Sequence, residues 1–149
     1  MMIVYGIPGC NTVKKARAWL AERGIAYGFH DFKRQGVPAE KLLIWASLVG
    51  WDKLLNRQGT TWRKLDFAAQ AAADTAAGAA ALAIANPSVI KRPVVEWRAG
   101  ALGCFEGSAA NDTGVGSGDG AEAKLAVTVG FDGRLWALFV ENGVQCVKL

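Results

Sequence analysis

The stretch that most limits the fold is the opening MMIVYGIPGCNTVKKARAWL. Met2–Gly6 is an apolar run of strand length, and Ile7-Pro8-Gly9 closes it with a turn. Cys10 comes next, followed by Asn11 and Thr12, both good N-cap residues. Over residues 13–23, Val13, Ala16, Trp19 and Leu20 share one helical face, Lys14, Arg17 and Glu22 lie outside it, and Gly24 stops the helix. Residues 26–32 then read as a second strand. Strand, tight turn, cysteine, helix and strand open a βαβ unit, so an α/β fold is expected with its first turn presenting a thiol at the surface.

Downstream, Pro38 suits a first helical turn, Ala39–Val49 continues that helix to Gly50, and residues 51–56 add another turn. Residues 57–62 (RQGTTW) have no period and read as loop. Residues 65–85 are helical by propensity with a restart at Asp74-Thr75, and Asn86-Pro87 ends them. Residues 89–97 are strand-like but contain Pro93, which cannot donate to a ladder and so belongs at the strand's start. Residues 103–122 are rich in Gly, Ala and Asp without a period, and read as a flexible surface loop. Residues 125–131 alternate as a returning strand. Residues 134–140 fit two descriptions: a hairpin strand between Asp132-Gly133 and Asn142-Gly143, or a helix with Leu135, Leu138 and Phe139 on one face.

A length of 149 residues fits one domain, and the six tryptophans are expected to pack its core. Residues 1–98 carry 14 Lys and Arg against 7 Asp and Glu, while residues 99–149 carry 3 against 6, so the front of the chain should attract anions. No run of basic residues interleaved with aromatics marks a nucleic-acid groove, and nucleic acid is not an expected partner. The N-terminus lacks a basic leader and cleavage site, and no apolar stretch has the pattern of a spanning helix. Three cysteines (Cys10, Cys104, Cys146) lack framework spacing, which points to a reducing cytoplasm and a reactive rather than bridged Cys10.

The thiolate is the nucleophilic form of cysteine, and a helix N-terminus favours it through unpaired amides and the macrodipole. The amides of Asn11, Thr12 and Val13, with the Thr12 hydroxyl, are therefore candidate donors to the Cys10 sulfur or to an anion beside it. Position 13 is Val, so there is no C-x-x-C, and a resolving thiol must come from elsewhere. His30 has no partner at metal spacing and reads as a strand residue, so no metal site is expected.

Three segments in order, YGIPGCNTVKKARAWL, LLNRQGTTWRKL and NPSVIKRPVVE, resemble the arsenate-reductase (ArsC/Spx-like) family, with the closest likeness to its glutathione-linked YffB branch. The likeness runs over residues 2–97 and returns at 129–140. It implies an α/β thioredoxin-like fold with a helical insertion at residues 36–88, and a helix for the last matched segment. It also implies that Cys10 is the redox nucleophile, that Arg92 faces it, and that Pro93 is cis beside it. A guanidinium there would stabilise the thiolate and hold a carboxylate or oxyanion bidentately.

Three positions depart from the arsenate reductases of that family. Gly6 replaces their histidine four residues before the cysteine. Asn56 replaces the arginine after the Leu-Leu pair, which leaves Arg57, one position on, as the substrate-binding candidate. Phe131 stands where a third arginine falls. The expected activity is a glutathione-dependent monothiol reductase with no bound cofactor, using glutathione or a glutaredoxin-like thiol donor. The alternatives are a non-catalytic, Spx-like protein that binds a protein partner, and a true arsenate reductase. The loop at residues 103–122 should sit away from Cys10, at the far end of the hairpin formed by the strand after Pro93 and the returning strand.

Overall fold

Val4 and Tyr5 are adjacent in β1 (Met2–Gly6), point to opposite faces, and are both buried, so β1 is covered on both sides. It lies inside a five-stranded sheet with β2 (Tyr27–Asp31), β3 (Val94–Arg98), β4 (Thr113–Gly116) and β5 (Leu125–Val129), in the order β2-β1-β3-β5-β4. β1 and β2 are parallel, with Gly6 opposite Asp31. β3 runs antiparallel to β1, and β5 antiparallel to both β3 and β4. This computed structural model describes residues 2–98, 113–116 and 125–141.

One face of the sheet is covered by α1 (Asn11–Glu22) and α8 (Gly133–Glu141), whose Ala16, Leu20, Trp136 and Phe139 pack with Val4, Val95, Trp97 and Ala126. The other face carries α2 (Phe32–Gln35), α3 (Ala39–Val49), α4 (Trp51–Leu54), α5 (Thr60–Arg63), α6 (Phe67–Ala72) and α7 (Ala76–Ala85), followed by a 3-10 turn at Pro87–Val89. From these helices Leu42, Trp45, Leu54, Ala79 and Ala83 pack on Tyr5, Val94, Val127 and Val129. The result is the thioredoxin-like fold that the family likeness implied, with helices inserted between the two halves of the sheet.

The last segment is helical, and packing gives the reason. Trp136 and Phe139, three positions apart on one face, both approach Trp97, with ring centroids at 5.4 and 4.9 Å. Burying each large apolar side chain is worth about 1.5–3 kcal/mol, which a solvent-facing hairpin strand would forgo. The first helix starts earlier than residue 13, because the Cys10 carbonyl accepts the Lys14 N–H at 2.9 Å and makes Cys10 itself the N-cap.

Two loop expectations are corrected. Within residues 57–62, Thr60 begins the short helix α5, whose four residues are too few to show a period. Within residues 103–122, Thr113–Gly116 form β4, paired to β5 through Gly114↔Val127 and Val115↔Ala126. That strand is made by backbone pairing along an open edge, which a Gly-rich sequence does not advertise. The remainder of that span lies outside the described residues, as do Cys104 and Cys146.

Thr75 restarts the helix by accepting the Gly78 N–H on its hydroxyl at 3.1 Å. The turn between α6 and α7 is so tight that a Cβ on Gly78 would stand 1.8 Å from the Ala72 carbonyl oxygen. Backbone must move to admit it. Gly78→Ala should therefore destabilise the protein by about 1–3 kcal/mol despite alanine's better helix propensity, as read from the urea midpoint. A stabilised variant would overturn this reading.

Candidate functional site

The sheet brings its loops together at one end. The turn after β1 (Ile7-Pro8-Gly9) is closed by the Cys10 N–H donating to the Ile7 carbonyl at 3.0 Å, and it delivers Cys10 to the start of α1. Cys10 is partly exposed. No side chain caps this helix end. Among the described residues, the N–H groups of Asn11, Thr12 and Val13 carry no hydrogen bond, as expected for a first helical turn whose N-cap offers no oxygen. These donors and the positive end of the helix dipole lie at the helix end that carries the Cys10 thiol.

Opposite lies the segment that enters β3. The Arg92–Pro93 peptide is cis, as the family likeness implied. Residues 89–91 are stitched to the insertion: Leu55 bridges Ile90, the Asn56 N–H donates to the Val89 carbonyl at 2.7 Å, and the Lys91 N–H donates to the Leu54 carbonyl at 2.8 Å. The Gly130 N–H donates to the Pro93 carbonyl at 2.8 Å, which fixes the loop after β5 against the same segment.

These ties create a cleft of about 440 Å³ lined by Cys10, Thr12, Asn56, Ile90, Lys91, Arg92, Gly130 and Phe131. Two cations and no acid line it. Among the described residues the Arg92 guanidinium has no hydrogen bond or ion pair, so it can meet an incoming anion. The arrangement suits a nucleophilic sulfur that takes substrates bearing carboxylate or oxyanion groups.

The expected site residues divide. Cys10, Thr12 and Arg92 line this cleft, and Pro93 is buried behind it. Asn11 is exposed beside it, and Val13 contributes only its amide, because its side chain is wholly buried. Arg57 is not in the cleft. Its guanidinium stacks 5.1 Å from the Trp62 ring and approaches Asp74 at 3.5 Å and Asp52 at 3.8 Å, so two acids and an aromatic hold it on the far side of Asn56. Ile90, Lys91 and Gly130 are lining residues that pattern reading did not single out, and Asn56 was noted only as a departure from the family. The departure at position 56 was the available signal, since it marks the position that faces the sulfur's cleft.

His30 is structural. Its Nε2 donates to the Gly36 carbonyl at 2.8 Å, and its ring lies 5.1 Å from Tyr5. Among the described residues no group of three His, Cys, Asp or Glu could hold a metal ion, and no helix is long and apolar enough to cross a membrane.

Comparison with known proteins agrees with the geometry. The ArsC family profile matches residues 5–111. A Haemophilus influenzae protein of unassigned function is 41% identical over 95 residues, which cover 64% of this chain and 82% of that protein. The global transcriptional regulator Spx of Streptococcus pyogenes is 24% identical over 97 residues, covering 64% of this chain and 71% of the regulator. Among solved structures, the YffB protein superposes with a TM-score of 0.67 at 38% identity, covering 92% of this chain and 96% of YffB. An arsenate reductase (ArsC) related protein from Brucella melitensis superposes at 0.58 with 35% identity over 94% of each chain.

Proposed function

This chain belongs to the ArsC family, and from that premise we propose that it is a glutathione-dependent monothiol reductase with Cys10 as its nucleophile. The observation that carries this reading is the pairing, in one cleft, of a partly exposed thiol at a helix N-terminus without a side-chain cap and an Arg92 that has no partner among the described residues. In the first step the Cys10 thiolate attacks the glutathione sulfur of a disulfide that contains glutathione. A bond forms between Sγ and that sulfur, the old S–S bond breaks, and the other half leaves as a thiolate. A glutathione thiolate then attacks the adduct, which yields oxidised glutathione and restores the Cys10 thiolate. Arg92 and the free amides of α1 hold the carboxylates of the incoming molecule. The chemistry needs no resident cofactor, and a reducing cytoplasm would supply the co-substrate.

Arsenate is a poorer fit. A Cβ on Gly6 would stand 2.8 Å from Val13 Cγ2, so a side chain at the position corresponding to the arsenate reductases' histidine must displace the buried Val13 side chain. Asn56 and Phe131 replace two further cations at the cleft wall. A second reading, a protein-binding regulator, rests on the kinship with Spx. Capture of a specific protein by a Cys10→Ser chain as readily as by wild type would support it.

The test is mass spectrometry after incubation with oxidised glutathione. Wild type should gain a single glutathionyl group, released by reduced glutathione, and peptide mapping should place it on Cys10 rather than Cys104 or Cys146. A Cys10 peptide that stays unmodified while the other thiols react would overturn the proposal.

A further inference from the structure

A second cleft opens on the other flank of the Cys10 turn. β1 lies between β3 and β2, so a molecule joined to the sulfur can extend towards either neighbour. On the β3 side is the Arg92 cleft. On the β2 side is a cleft of about 460 Å³ lined by Pro8, Arg17, Phe29, Asp31, Arg34 and Gln35. Both volumes are in the range of small-molecule sites, about 300–1,000 Å³.

The second cleft is built for a particular charge pattern. Arg17 is held rigidly: its Nε donates to the Tyr27 hydroxyl at 3.1 Å, and its guanidinium lies 4.4 Å from the Phe29 ring centroid, leaving its terminal nitrogens to a ligand. Arg34 has no hydrogen bond or ion pair among the described residues. Asp31 uses Oδ1 to cap α2 through the Lys33 N–H at 2.9 Å, and its Oδ2 has no partner among the described residues. Two guanidinium groups beside one carboxylate match a group that carries a carboxylate and an ammonium together. That is the free amino-acid end of a γ-glutamyl peptide.

We infer that this cleft binds the γ-glutamyl zwitterion of the thiol co-substrate, its carboxylate on Arg17 and Arg34 and its ammonium on Asp31. The inference rests on the glutathione reading and adds the recognition element for that substrate. Reach permits it. Pro8 is two residues from Cys10, at most about 7 Å between Cα atoms, and the γ-glutamyl arm spans seven bonds from sulfur to its α-carbon, roughly 8 Å when extended. The cysteinyl sulfur can therefore join Cys10 while the arm passes Pro8. The step is the exchange already written: one Sγ–S bond formed, one S–S bond broken, one glutathione thiolate released.

The experiment measures the rate at which Cys10 forms mixed disulfides with oxidised glutathione, oxidised γ-glutamylcysteine and uncharged hydroxyethyl disulfide. The variants are Arg34→Gln, Arg34→Glu and, as a control for net charge, Lys33→Glu on the exposed side of the same turn. Wild type should prefer both γ-glutamyl disulfides over hydroxyethyl disulfide. That preference should fall about ten- to a hundredfold in Arg34→Glu and less in Arg34→Gln, the size expected for a lost charge-assisted bond. Lys33→Glu should keep the preference within about twofold, since an exposed charge is screened. If wild type forms the adduct and Arg34→Glu keeps its preference, or Lys33→Glu loses as much, the subsite is overturned and the reductase reading survives. If wild type forms no glutathione adduct, both are overturned.

Discussion

Glu96→Ala should cost the fold about 3–5 kcal/mol, measured as a shift of the urea midpoint at unchanged slope. Glu96 is wholly buried on β3, where its carboxylate accepts from Lys41 Nζ at 3.0 Å, Trp45 Nε1 at 2.9 Å and the Tyr5 hydroxyl at 3.2 Å. Lys41 and Trp45 are on α3 and Tyr5 on β1, so one side chain ties the insertion to two strands. Alanine would leave the buried Trp45 N–H without an acceptor, at about 1–3 kcal/mol, and would open a cavity beside it. Lys41 is 31% exposed at its side chain and can turn to water, which keeps the total below that of stranding a fully buried cation. Glu96→Gln retains an acceptor for Trp45 and should lose less than half as much. Stability of Glu96→Ala within 1 kcal/mol of wild type would show that desolvation cancels the network's gain, an outcome known for buried ion pairs.

Glu96 also marks where the sequence stops being informative. Alternation along VVEW places Val95 and Trp97 on one face and Val94 and Glu96 on the other, but only the tertiary fold supplies the lysine, indole and phenol that make a buried carboxylate tolerable. The elements that were legible have local causes: the Pro-Gly turn before Cys10, the Thr75 cap, the proline that delays β3 until Val94. Those that were not legible depend on distant partners. β4 exists because β5 has an open edge, and α5 is too short to carry a period. Arg57 and Asn56 are sequence neighbours, yet backbone bonds from residues 54–56 to residues 89–91 send Asn56 to the cleft and leave Arg57 to Asp52 and Asp74. In the candidate site the thiol and the arginine that line one cleft were readable, whereas the lining contributed by loop direction was not.

Arg92→Leu should slow formation of the glutathione adduct about 10- to 100-fold, the second large effect expected. The guanidinium shares the Cys10 cleft and has no other partner among the described residues. A charge-assisted hydrogen bond to a carboxylate is worth about 1.5–3 kcal/mol, which gives that range of rates if the bond is present in the transition state. Arg92→Lys keeps the charge but loses the planar fork, so it should recover only part of the rate. Alkylation by uncharged iodoacetamide separates two roles for this residue. If Arg92 mainly holds the incoming anion, alkylation of Cys10 in Arg92→Leu should stay within a few-fold of wild type while exchange with oxidised glutathione falls by the larger factor. If it mainly stabilises the thiolate, both rates should fall together. An Arg92→Leu protein that exchanges at the wild-type rate would leave anion binding in the cleft to Lys91 and the α1 amides and would remove the argument that the arginine defines the site.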